Sequence, residues 1–136
     1  MTLYLLDTNI LSNVIRDPRG ACATRIGHTQ PEQICTSIIV AAELRFGVLK
    51  RGSPTLAQRV EQLLASLSVL PLQPDADQCY GRLRADLEKQ GQLIGANDML
   101  IAAHALALEA VLVTDNTAEF ARVAGLPVEN WLRPTT

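Results

Sequence analysis

Aromatic side chains are scarce in this sequence, with two Tyr, two Phe and one Trp among 136 residues. Five rings cannot line an extended stacking platform for nucleobases, and the core they leave must be aliphatic. Histidine is scarcer still: His28 and His104 show no metal-ligand spacing, and the odd set of Cys22, Cys35 and Cys79 lacks a C-x-x-C pair. Zinc sites and a disulfide framework are therefore excluded, and the cysteines read as small core residues of a reduced, cytoplasmic protein. Positive charge is not in excess. Twelve Lys and Arg face fourteen Asp and Glu, so bulk charge alone does not hold the chain on nucleic acid. No apolar run spans a bilayer, because the longest, Met99 to Val113, is interrupted by His104 and Glu109. No basic-then-apolar leader opens the chain either.

What is present is a regular alternation of apolar runs and amphipathic segments. Leu3–Leu6, Gln33–Thr36, Val69–Leu72 and Val111–Thr114 read as strands, with Pro127–Glu129 as a last edge strand. Helices are expected over Ile10–Ile15, Ala21–His28, Ser37 to about Arg51, Ser53 to about Leu67, Pro74–Gln90, Asn97–Ala110 and Ala118–Val123. Ser37 caps the third of these helices, and Ser53 with Pro54 opens the fourth. Strands alternating with helices imply a three-layer α/β/α domain over residues 1–136, with a mainly parallel sheet. In such sheets ligands bind beyond the carboxyl ends of the strands.

Four acids sit where this fold brings strand ends and helix starts together: Asp7, Glu43, Asp98 and Asp115. Each is embedded in apolar sequence, where an unpaired carboxylate is costly. Each also has a plainer explanation. Asp7 can cap the first helix, although Thr8 and Asn9 could do so equally well. Glu43 shares a helix face with Ile39, Phe46 and Gly47, and can pair with Arg45 or reach solvent. Asp98 can complement the dipole of an otherwise apolar helix, with Asn97 as its cap. Asp115 and Asn116 are common turn residues. Taken together, the acids would repel one another at a single crevice unless a cation shared them. Oxygen donors without His or Cys select Mg²⁺, or Mn²⁺ in its place. Such an ion activates water and neutralises charge on phosphorus, which suits phosphodiester hydrolysis.

With these residues in hand, the chain resembles the PIN-domain ribonucleases, specifically the VapC-type toxins of bacterial toxin–antitoxin pairs. The resemblance is carried by Leu-Leu-Asp7-Thr8-Asn9-Ile10, by Ser37 and Glu43-Leu-Arg-Phe-Gly47, and by Gly95-Ala-Asn-Asp98-Met-Leu-Ile-Ala-Ala-His104. Val113-Thr-Asp-Asn-Thr-Ala-Glu-Phe120 and Gly125-Leu-Pro-Val-Glu-Asn-Trp131 complete it. It implies Mg²⁺ held by Asp7 and Asp98, with Glu43 completing the acidic core. It further implies endonucleolytic cleavage of RNA, commonly transfer RNA, a homodimer, and a cognate VapB-like antitoxin that carries the complex to DNA. The family's fourth acid often sits two residues after the threonine, where this chain has Asn116. Asp115 or Glu119 can compensate, or Asn116 can orient a water.

Arg45, Lys50, Arg51 and Arg59 form one basic group, and Arg16, Arg19 and Arg25 a second. One or both are expected to guide the RNA backbone towards the acids, with Thr8 and Asn9 as contacts beside the metal. The alternative is a solvated helix face. Two other functions compete with the nuclease. A catalytically weak PIN protein could serve mainly in a DNA-binding repressor complex. A phosphoryl-accepting regulatory domain would need a Lys beyond the Val111 strand, and the only lysines are Lys50 and Lys89.

Overall fold

The computed structural model describes residues 1–133. Five short strands form one sheet: β1 (Tyr4–Leu6), β2 (Ile34–Ser37), β3 (Ser68–Leu70), β4 (Val111–Val113) and β5 (Val128–Glu129). Their order across the sheet is β3-β2-β1-β4-β5, and all four pairings are parallel. Leu5, Leu6, Cys35, Thr36, Leu112 and Val113 are buried on both faces of the sheet. That is why these strands read as continuous apolar runs rather than alternating ones.

Seven α-helices flank the sheet among the described residues: α1 (Thr8–Arg16), α2 (Ala21–Gly27), α3 (Ile38–Arg51), α4 (Pro54–Ala65), α5 (Ala76–Lys89), α6 (Ala96–Ala107) and α7 (Thr117–Phe120). The expected caps form. Ser37 Oγ accepts the Ile39 N–H at 3.1 Å, and Ser53 Oγ accepts the Leu56 N–H at 3.2 Å with Pro54 opening α4. Helix α3 ends at Gly52, which takes up the left-handed conformation at φ 65°.

Three expectations need correction. The third strand stops at Leu70 rather than Leu72, because Pro71 has no N–H to continue the ladder. Helix α6 starts one residue early, with Gly95 as its cap, and ends at Ala107 rather than Ala110. Asn97 lies exposed in the first turn and caps nothing. The face of α3 carrying Phe46 is not a buried stripe, since Phe46 is 66% and Leu49 81% exposed.

The strand order fixes where a site can form. From β1 the chain moves one way to β2 and β3, then returns to place β4 on the other side of β1. The crevice beyond the carboxyl ends of β1 and β4 is the switch point of such a sheet. In register Leu6 lies opposite Val113, so Asp7 and Thr114 emerge side by side.

Candidate active site

Asp7 follows β1 directly and is 4% exposed. Its Oδ1 accepts the Thr8 N–H at 2.8 Å, so it does cap α1. Its other oxygen accepts the Thr114 hydroxyl at 2.7 Å. The capping explanation and the functional one are thus compatible: one carboxylate oxygen holds the helix while the other faces the crevice wall. Burial pushes the Asp7 pKa above the ordinary carboxylate value, against the hydrogen bonds from Thr114 and Thr8.

Thr114 is the hub that sequence reasoning passed over. It is fully buried, and its Oγ1 donates to Asp7 while accepting from Asn9 Nδ2 at 3.2 Å and from the Asn116 N–H at 3.0 Å. A threonine closing a fully apolar strand must satisfy its hydroxyl inside the protein, and that was the available signal. Asn9 is bonded inward at both ends, since its Oδ1 also accepts the Asp115 N–H at 2.9 Å.

Glu43, half-buried on α3, finds its partner in Thr8, whose hydroxyl donates to Oε1 at 2.6 Å. The arginine expected as its alternative partner, Arg45, pairs instead with Glu61 on α4. Asp98 lies in the first turn of α6. Burial first, then the negative charges of Glu119, Asp7 and Glu43, push its pKa up to about 7. Gly95 gives Asp98 room, because a Cβ there would meet Oδ2 at 3.1 Å.

Glu119 completes the group. Its Oε1 accepts the Gly95 N–H at 3.1 Å and its Oε2 accepts the Asn116 side-chain amide. Burial raises the Glu119 pKa, but the Gly95 N–H, the Asn116 amide, Asp98 and Arg122 outweigh it and hold the carboxyl low. Asp115 points elsewhere. Its carboxylate takes Asn130 Nδ2 and Arg133 Nε, each at 3.0 Å, and these keep its pKa low. The structure therefore brings Asp7, Glu43, Asp98 and Glu119 within electrical reach of one another, with Asn116 bonded to Glu119. Among the described residues, no group of three or more His, Cys, Asp or Glu is closed up to hold a metal ion directly.

A groove of about 470 Å³ runs between α1, α3 and α4 and shares Thr8, Asn9 and Glu43 with this pocket. Ile15, Leu44, Val48, Leu56 and Val60 make it apolar, and the exposed Arg16 and Arg51 line it too. Lys50 is likewise exposed at the end of α3. No helix among the described residues is long and apolar enough to cross a membrane.

The chain is similar to several known proteins over nearly its full length. The PIN domain family profile matches residues 4–126. Ribonuclease VapC2 of Haemophilus influenzae is 40% identical over 133 residues, covering 97% of this chain and 100% of the relative. The tRNA(fMet)-specific endonuclease VapC of Shigella flexneri is 34% identical over 132 residues, covering 96% and 99%. Among solved structures, VapBC2 of Rickettsia felis bound to a promoter DNA fragment superposes with a TM-score of 0.87 at 36% identity, covering 96% of this chain and 99% of that one. DNA-bound VapBC of Salmonella typhimurium gives 0.86 at 31% identity, covering 96% and 99%. With sequence, length and fold in agreement, the chain belongs to the PIN domain family, among the VapC ribonucleases.

Proposed function

We propose that this chain is a Mg²⁺-dependent endoribonuclease toxin of a toxin–antitoxin pair, which hydrolyses phosphodiester bonds of RNA, most readily transfer RNA. The observation that carries the reading is the convergence of Asp7, Glu43, Asp98 and Glu119 at the switch point of the sheet. Carboxylates gathered at a cost to their own ionisation mark a functional site.

The donor set fits a hard cation. It consists of carboxylate oxygens, and its open arrangement suits Mg²⁺, which takes one or two carboxylates and keeps several waters. Asp7 and Asp98 would hold the ion, with Glu43 and Glu119 completing the acidic surroundings. The ion would supply charge neutralisation at the scissile phosphate and a more acidic attacking water. The chain's own residues do the rest. Thr114 and Thr8 hold Asp7 and Glu43 in fixed orientations, so neither carboxylate must reorganise when substrate arrives. In the fourth position Glu119 supplies the acid, and Asn116 orients it; Asp115 is occupied by Asn130 and Arg133. Lys50 and Arg51 lead the RNA backbone to the pocket mouth at Thr8, while Arg45 is tied to Glu61.

The apolar groove that ends at Glu43 suits an antitoxin segment with an apolar face and a basic end. The VapBC structures of Rickettsia felis and Salmonella typhimurium, both bound to DNA, support an assembly in which DNA is reached through the antitoxin. The exposed Ile38, Phe46 and Leu49 of α3 leave apolar surface for the contacts of a homodimer within that assembly.

The test is incubation of purified, antitoxin-free protein with total transfer RNA, in Mg²⁺ and in chelator. Discrete fragments in Mg²⁺ alone are expected, and none with Asp7→Asn or Asp98→Asn. Equal cleavage by both variants would refute the site, and metal-independent cleavage would refute the chemistry.

A further inference from the structure

His104 is fully buried on α6, and its Nδ1 lies 2.8 Å from the Oγ of Ser37, which is fully buried as well. Ser37 Oγ already accepts the Ile39 N–H. Its own hydrogen is therefore free to donate to the imidazole, an arrangement in which Nδ1 accepts and the ring proton sits on Nε2. Nε2 is buried and makes no hydrogen bond of ordinary geometry, although the Pro71 backbone lies close enough to oppose part of the effect of burial on the ring. Burial pushes the imidazole pKa down, so the ring is neutral at pH 7.

A buried imidazole with one orphaned nitrogen is costly where a leucine would fill the space. Its position shows what it adds. Apart from His104, the buried face of α6 is built from Met99, Ile101, Ala102, Ala103 and Ala105. These side chains pack well but offer no polar group to fix how far the helix slides or turns. Among the described residues, His104–Ser37 is the one side-chain hydrogen bond between α6 and the cap of α3. A single polar pair in an apolar interface can fix register at a cost in stability.

The register matters because of what each helix carries. Asp98 precedes His104 by six residues on α6, and Glu43 follows Ser37 by six on α3, about 9 Å along each helix axis. Ser37 also ends β2 next to Asp7. Thr36 pairs with Leu6 in the sheet, and its hydroxyl donates to the Leu6 carbonyl at 2.7 Å. The two links together tie the elements bearing Asp7, Glu43 and Asp98 into one frame.

We propose that His104 is a positioning residue for the acidic pocket: through Ser37 it sets the register of α6 against α3, and with it the placement of Asp98 relative to Asp7 and Glu43. This rests on the nuclease reading above.

Three variants separate this role from simple packing. His104→Leu removes the hydrogen bond and fills the space. Ser37→Ala removes it from the other side, together with the cap on the Ile39 N–H. His104→Asn places an amide oxygen where Nδ1 accepts. Each is assayed for kcat and KM on total transfer RNA with Mg²⁺, for melting temperature, and by calorimetric titration of the RNA-free protein with Mn²⁺ alone. His104→Leu and Ser37→Ala are expected to fold, to lose roughly tenfold or more in kcat with KM within about twofold, and to bind Mn²⁺ more weakly, since misplacement by ~1 Å can cost ~100-fold. His104→Asn should recover kcat to within about threefold of wild type, and the double variant of His104→Leu with Ser37→Ala should be no worse than the poorer single one. Wild-type kcat and Mn²⁺ affinity in folded His104→Leu would overturn the proposal. So would a lower melting temperature with unchanged kcat, or a kcat loss that His104→Asn fails to recover. If His104→Leu does not fold, His104→Met, which also lacks the bond and leaves the Ser37 cap of α3 intact, decides on the same readouts. A wild type that neither cleaves RNA nor binds Mn²⁺ would refute the nuclease reading, and this proposal with it.

Discussion

Replacing Asp98 by Asn should make the metal-free protein more stable at alkaline pH while removing its nuclease activity. In the folded chain Asp98 is half-buried among Glu119, Asp7 and Glu43, and its pKa rises from 3.8 to about 7. A rise of that size corresponds to about 4 kcal/mol of lost stability once the group is ionised, at ~1.4 kcal/mol per pH unit. Asp98 is only half-buried and solvent screens it from its neighbours, so the net gain expected for Asp98→Asn is about 1–2 kcal/mol. The folded-state pKa lies above the unfolded one, so between pH 4 and pH 7 the native state keeps a proton that the unfolded chain releases. Asp98 therefore makes the wild type more stable as pH falls through this window, and the variant lacks that slope. Urea unfolding in chelator should show the variant ahead by about 1–2 kcal/mol at pH 8, or roughly 3–8 °C in Tm, with the gap closing near pH 4. Equal or lower stability of the variant at pH 8, or a gap independent of pH, would refute the electrostatic account. Asn can still donate to Glu119, so the substitution leaves no new unpaired acceptor there.

Other substitutions probe the remaining parts of the pocket. Thr114→Val keeps the shape but strips Asp7, Asn9 and the Asn116 N–H of their shared partner; it should cost about 2–3 kcal/mol in urea unfolding and abolish cleavage. Thr8→Val removes only the bond to the half-buried Glu43, so stability should change by less than about 1 kcal/mol while cleavage falls clearly. Gly95→Ala presses a methyl group against Asp98 Oδ2; cleavage should drop roughly tenfold, with a stability change of about 1 kcal/mol or less from the poorer cap. The paired substitutions Lys50→Gln and Arg51→Gln should raise KM at constant kcat and flatten the dependence of KM on salt, and an unchanged salt dependence would remove both from the RNA path.

Much of this was legible because the physics is local. A buried parallel strand must be apolar throughout, so Leu3–Leu6 and Val111–Val113 declared themselves, and an acid directly after such a strand is conspicuous. Ser37, Ser53 and Pro54 specify helix starts by chemistry that needs no tertiary context. What the chain concealed depends on side-chain direction. Asp115 and Glu119 are four residues apart and equally acidic, yet only the fold shows that Arg133 and Asn130 claim the first while Gly95 and Asn116 aim the second at Asp98. The sequence places Glu43 on a face shared with Phe46, but Phe46 is exposed, and the partner of Glu43 comes from 35 residues away. His104 carried no ligand spacing, and its tie to Ser37 spans 67 residues.

The most direct test of the account is where a divalent ion binds. Crystals of the chain soaked in Mn²⁺ should show an anomalous peak between the carboxylates of Asp7 and Asp98, with Glu119 rather than Asp115 on its far side, and Asp7→Asn should abolish it. A peak on Asp115, or none at Asp7 and Asp98 in protein that cleaves RNA, would contradict the site described.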